Sequence, residues 1–178
     1  MRLFAALCVV AIAFAATGCA DSQAKLVSLP EKQSPPATSP AIEDWSAVAK
    51  ALGRQGTVIG DVYHVTVPRD DLFVTIEGME VPTQAGLSSD FWFYRCSCGH
   101  ISLVGQFTVA DYESNDVIDA LRAGQMKIAA LAPMLQYEKP HLLLIRFQGE
   151  GDAAAMAKTL REALRWTGKE RMAPRKME

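Results

Sequence analysis

Along most of this chain, runs rich in β-branched and aromatic residues stand next to one another, joined by turns too short to hold a helix. Thr57 to Val67 and Leu72 to Ile76 flank Pro68-Arg69-Asp70-Asp71. Phe91 to Cys96 and Ile101 to Val109 flank a hairpin tip around Gly99. Strands joined so briefly pair antiparallel, because a parallel connection needs a crossover of about a dozen residues or more. Three helical patterns interrupt them. Trp45, Val48, Ala49 and Leu52 recur at helical spacing after Ser39-Pro40 and stop at Gly53. Asp111 to Ala123, capped by Thr108 or Asp111, turns Val117, Ala120 and Leu121 inward and stops at Gly124. Asp152 caps a last helix with the stripe Met156, Leu160, Ala163, Leu164 and Thr167, ended by Gly168. Two more strands, Met126 to Leu131 and Leu142 to Phe147, lie between the second and third helices. The unbroken Leu142-Leu143-Leu144-Ile145 predicts burial on both faces. The order helix, four strands, helix, two strands, helix predicts an α+β domain with helices on one face of a largely antiparallel sheet. Its second half fits part of a ferredoxin-like split βαβ unit.

The first 40 residues stand outside this pattern. Arg2 is followed by Phe4 to Ala16, about 13 residues without a charge, and then by Ala16-Thr17-Gly18-Cys19. The run is too short to span a bilayer, which takes about 20 apolar residues, and it has the anatomy of a secretory signal. A cysteine directly after Thr-Gly resembles the lipobox of bacterial lipoproteins, although Ala16 stands where many lipoboxes carry Leu. That resemblance implies a signal peptide over 1–18 and an acylated Cys19 as the first mature residue. It also implies an extracytoplasmic, lipid-anchored protein, sent to the outer membrane facing the periplasm where two membranes exist. Residues 19–40, with Pro30, Pro35, Pro36 and Pro40, read as a disordered tether. The domain is expected over 41–168 and a flexible tail over 169–178.

Removing Arg2 with the leader moves the formal net charge from −2 to −3, so nucleic acid is not an expected partner. The expected partners are the membrane, through the lipid, and an envelope protein or small ligand. Cys96 and Cys98 alone remain in the mature domain, too few for a disulfide framework. In an extended chain Cys96, Cys98 and His100 point the same way and offer two thiolates and an imidazole, a set that suits zinc or copper. The alternatives are a Cys96–Cys98 disulfide ring and a plain hairpin tip with two small thiols. No cofactor is expected beyond that metal alternative. There is no phosphate-cradling glycine loop, HExxH or nucleophile elbow. Gly149-Glu150-Gly151-Asp152 reads as a helix opening whose acids would repel an anion. Arg69 reads as a turn residue making local ion pairs, and His64 and His141 as strand-face and surface residues. Within Phe91-Trp92-Phe93-Tyr94, alternation sends one pair of rings to the core and the other to the opposite face.

Several segments in order carry a wider resemblance. They are Ala51-Leu52-Gly53-Arg54 with Gly56, Val62-Tyr63-His64-Val65-Thr66-Val67-Pro68-Arg69, and Asp71-Leu72. Later come Asp111 to Leu121 with Glu113, Asn115 and Val117, then Ala129-Ala130-Leu131, and Gly149-Glu150-Gly151-Asp152 with the final helix. Together they resemble the LppY/LpqO-type family of bacterial exported proteins, of which this chain looks like a divergent member. The family pattern implies a His-Asn-His triplet and one more His on the following strand, a set suited to metal or acid–base work. Here Ala132-Pro133-Met134 and Arg146 stand at those positions. The resemblance therefore implies no catalytic residue. It points to a non-catalytic binding or interaction domain, with Arg146 and Met134 as ligand-binding candidates. Arg146, a permanent cation in an apolar strand, is read either as an outward-facing or partly buried arginine paired with a carboxylate or as reaching a ligand's carboxylate or phosphate.

Overall fold

The computed structural model describes residues 45–96, 99–168 and 171. All of them belong to one unit, Ser39–Glu178. Helix α1 (Ser46–Leu52) stops at Gly53, whose left-handed backbone (φ 72°) lets its N–H reach the Ala49 carbonyl. The expected cap at Ser39-Pro40 lies outside the described residues. The expected strand Thr57 to Val67 is two strands, β1 (Thr57–Ile59) and β2 (Val62–Pro68), folded on each other at Gly60-Asp61. Strands β3 (Val74–Ile76) and β4 (Met79–Val81) form a small hairpin through Glu77-Gly78. Strand β5 (Ser88–Arg95) and β6 (Ile101–Ala110) make the long central hairpin. Helix α2 (Ser114–Ala123) follows a 3-10 turn, and β7 (Lys127–Pro133), β8 (Glu138–Lys139) and β9 (Leu142–Gly151) come next. Helix α3 (Ala153–Leu164) closes the domain. Asp152 Oδ2 caps it by accepting from Ala155 N at 2.7 Å.

The main sheet has the order β1-β2-β5-β6-β9-β7, and every neighbouring pair is antiparallel. The fold is α+β, as the patterning predicts. Strand β9 lies between β6 and β7, which α2 connects, so the second half does build the split βαβ arrangement. One face of the sheet carries Tyr63, Val65, Phe91, Phe93, Leu103, Phe107, Ile145 and Phe147, packed under Val48, Leu52, Val117, Leu121, Leu160 and Leu164 of the helices. Gly105 is required there. A β-carbon on it would stand 2.3 Å from the Phe147 ring. The run Leu142 to Ile145 is only half as buried as expected. Leu142 and Ile145 are enclosed, while Leu143 and Leu144 are half-buried. The second sheet, β4-β3-β8, joins Val74 and Leu87 to Ala110 and Leu142 in a separate apolar cluster at one end of the opposite face. Gly149 to Gly151 belongs to β9, not to the helix that follows, which corrects the reading of that segment as a helix opening.

Arg69 corrects another expectation. It does pair locally with Asp71, at 2.9 Å, but it is 2% exposed and reaches across the fold. Its guanidinium donates to the Thr108 carbonyl and to both carboxylate oxygens of buried Glu113. Glu113 in turn accepts from Ala110 N at 2.9 Å and Gly168 N at 2.8 Å. The end of β2, the β6–α2 junction and the segment after α3 thus share one charge network. Removing one partner of a buried pair strands the other, at a cost of about 3–5 kcal/mol. Arg69→Met is expected to lose that much stability in urea unfolding. A loss below about 0.5 kcal/mol, normal for a surface turn residue, would contradict the network.

Candidate functional site on the open sheet face

The helices cover only one face of the main sheet. Strand register assigns what the other face presents. One row runs Thr66, Asp90, Gln106, Arg146 and Ala130 across β2, β5, β6, β9 and β7. The next runs His64, Trp92, Val104, Gln148 and Lys127. Beyond it lie Tyr94, Ser102 and Glu150, and on the other side Ser88, Thr108, Leu144 and Ala132 lead to the small sheet. Trp92 and Tyr94 occupy this face while Phe91 and Phe93 fill the core, as alternation along β5 predicts.

Asp90 organises one end of the first row. Its carboxylate accepts from Ser88 Oγ at 2.7 Å and Thr66 Oγ1 at 2.9 Å, and His64 Nε2 stands 2.9 Å away. Burial pushes its pKa up. The hydrogen bonds from Ser88, Thr66 and His64, with the His64 charge, outweigh burial and hold the carboxyl below its ordinary range. An ionised Asp90 accepts only, so His64 presents Nε2–H to it and, when neutral, keeps Nδ1 as an acceptor. The His64 ring is stacked on Trp92 with centroids 5.0 Å apart, which fixes the imidazole plane.

Arg146 points out of the same face and is exposed. The outward-facing placement is thus the one seen, and among the described residues Arg146 makes no ion pair. Met134 is not its neighbour. Met134 N donates to the Leu142 carbonyl, four residues or about 13 Å along β9 from Arg146, and its side chain packs on the Val74–Leu142 cluster. Arg146 and Met134 therefore do not form one site. A cleft of about 830 Å³ wraps round the end of the sheet, lined by Tyr94, Lys127 and Gln148 on this face and by Gly124, Met156 and Thr159 on the helical side.

Cys96 is disulfide-bonded. Ser97 and Cys98 lie outside the described residues, and with them part of the expected Cys96–Cys98 ring and of the Cys96, Cys98 and His100 metal set. His100 Nδ1 stands 2.9 Å from Glu150 Oε1, both side chains well exposed. Among the described residues no three His, Cys, Asp or Glu side chains gather closely enough to hold a metal ion. Cys19 also lies outside the described residues. No described helix is long and apolar enough to cross a membrane. His141 is half exposed and bonds Glu138, whose buried carboxylate also accepts from Leu142 N. Burial raises the Glu138 pKa, and the backbone bonds and His141 more than offset it, so this carboxyl too stays below its usual value.

Sequence reasoning missed Thr66, Ser88, Asp90, Gln106, Lys127 and Gln148. Each is an unremarkable polar residue at an alternate strand position, and only the register brings them together.

Folding favours the ionised form of Asp90, so this group stabilises the protein above its unfolded pKa, about 3.9. That contribution disappears as pH falls through the lower folded value. Melting temperature is expected to drop on acidification below about pH 4, and to drop less in Asp90→Asn. Equal acid losses in both proteins would rule out the depressed carboxyl.

The family model described as Domain of Unknown Function (DUF1259) matches residues 46–166, from the first residue of α1 to just past α3. No curated protein and no solved structure matches the chain. With more than half of its length matched, the chain belongs to that family of domains of unknown function.

Proposed function

We propose that this is a lipid-tethered cell-envelope protein whose domain is a non-catalytic binding module, with the open sheet face as its ligand seat and Arg146 as the recognition cation. The observation that carries the reading is Arg146 itself. It is a permanent charge, projected from the strand next to the β7 edge of the open face, with no acidic partner among the described residues. Helices hide the other face, so this face is the broad surface left for a ligand. Acylation of Cys19 after removal of residues 1–18 would hold the module at the membrane through the 19–40 tether. Two or three acyl chains hold firmly, at about 0.8 kcal/mol per buried methylene. The ordered run of segments from Ala51 to the final helix supports a finer placement among the LppY/LpqO-type exported proteins, with Ala132, Met134 and Arg146 where those carry histidines.

A second reading rests on the disulfide at Cys96. Pairing with Cys98 would make the β5–β6 tip a small redox ring, and its reduction would free two thiols beside His100 for zinc or copper. Metal analysis of Cys98→Ser against wild type decides that alternative. Equal metal content in both eliminates it.

The main reading makes two measurable claims. Mass spectrometry of protein extracted from membranes of an exporting bacterium is expected to find a diacylated Cys19 at the N-terminus, and Cys19→Ala is expected to leave the membrane. Native protein beginning at Met1 in the soluble fraction would overturn the anchor. Titration of the full chain with acetate, followed by NMR, is expected to perturb the Arg146 region in wild type and not in Arg146→Ala. The same response in both would remove Arg146 from recognition.

A further inference from the structure

We propose that Arg146 and Lys127 together form a two-cation seat for a phosphate-type dianion, with the side-chain amides of Gln106 and Gln148 as its hydrogen-bonding walls. This rests on the reading of the open face as a ligand seat and adds the class of ligand. Lys127 lies opposite Gln148, and Gln148 follows Arg146 by two residues on the same face of β9. That makes the two cations diagonal neighbours on adjacent strands, about 7–8 Å apart at the backbone. Both side chains are exposed, and neither makes an ion pair with a described residue.

An anion lying between two cations this close is attracted by both. Neither acid on the paired rows of this face forms an ion pair with Arg146 or Lys127. Asp90 already receives Ser88, Thr66 and His64, and Glu150 receives His100. A ligand with two negative charges matches the pair. Arginine offers a planar fork to a phosphate or carboxylate, and lysine adds a mobile point charge. Gln106 stands directly opposite Arg146 and Gln148 directly opposite Lys127, so two amide groups border the same patch.

Two further features favour a bound group here. The register of β7 against β9 shifts between Ile128 and Ala130, and a shift of this kind re-aims side chains. It places a small residue, Ala130, opposite Arg146, so the guanidinium has room on that side. The cleft of about 830 Å³ takes in Lys127 and Gln148 but not Arg146, and runs past Tyr94 and Glu150 to Asp152 and Met156 on the helical side. An organic group esterified to the phosphate would have space there.

Calorimetric titration of the full chain at low ionic strength and pH 8 tests the assignment, with inorganic phosphate, glycerol 3-phosphate and acetate as separate probes. Phosphate is expected to bind more tightly than acetate. Arg146→Ala and Lys127→Ala are each expected to weaken phosphate at least tenfold, with melting temperatures unchanged, and Lys127→Arg to retain most of the binding. Tighter binding of glycerol 3-phosphate than of phosphate assigns an ester whose body enters the cleft; equal binding assigns the free ion. Either supports the seat. Phosphate no tighter than acetate, with acetate sensitive to Arg146 and indifferent to Lys127, overturns the two-cation seat and leaves the Arg146 reading standing. Phosphate binding indifferent to both residues, or no binding of any probe, overturns both.

Discussion

The guanidinium of Arg69 joins three places that are far apart along the chain. It sits at the end of β2, holds the carbonyl of Thr108 on β6, and neutralises Glu113 at the entrance to α2. Glu113 then reaches Gly168 beyond α3. A buried ion pair gains little net energy over an apolar substitute, but losing half of one is expensive. Its effect is therefore to define an arrangement more than to add stability. The C-terminal segment and the start of α2 are held against the end of β2, and the helical layer stays on one side of the sheet.

That one-sidedness leaves the opposite face of the sheet to meet a ligand. Six antiparallel strands need only one apolar face, and the three helices supply its cover. The small β4-β3-β8 sheet closes one end of the other face and leaves the rest open. The open rows then separate by charge. At the β2–β5 side a carboxylate is saturated by three donors and fixes a stacked imidazole. At the β9–β7 side two cations make no ion pair with any described residue. A face that is internally neutralised at one edge and uncompensated at the other has a direction, and the uncompensated edge borders the cleft.

Much of the fold was legible because its signals are local. Gly53, Gly124 and Asp152 mark helix ends through backbone geometry and capping, and alternation along β5 separates Phe91 and Phe93 from Trp92 and Tyr94. The misses are of another kind. Strands β4 and β8 are three and two residues long and carry no periodicity that can be read. Gly149 and Gly151 disguised the end of β9 as a helix opening. Arg69 looked like a turn residue because its partner Glu113 lies 44 positions away. The site divides in the same way. Arg146 drew notice as a cation within an apolar strand. Lys127 did not, because it sits at the first residue of β7, where a lysine is ordinary. Their proximity depends on the β7–β9 register and its shift, which no single stretch of sequence contains.

The central claim is that ligands meet this domain on the face away from the helices, at the β9–β7 side. Amide chemical-shift mapping of the full chain during phosphate addition tests it most directly. The account predicts shifts concentrated at Gln106, Lys127, Ala130, Arg146 and Gln148, with α1 and α3 silent. Shifts confined to the helical layer, or spread evenly over the domain, would contradict it.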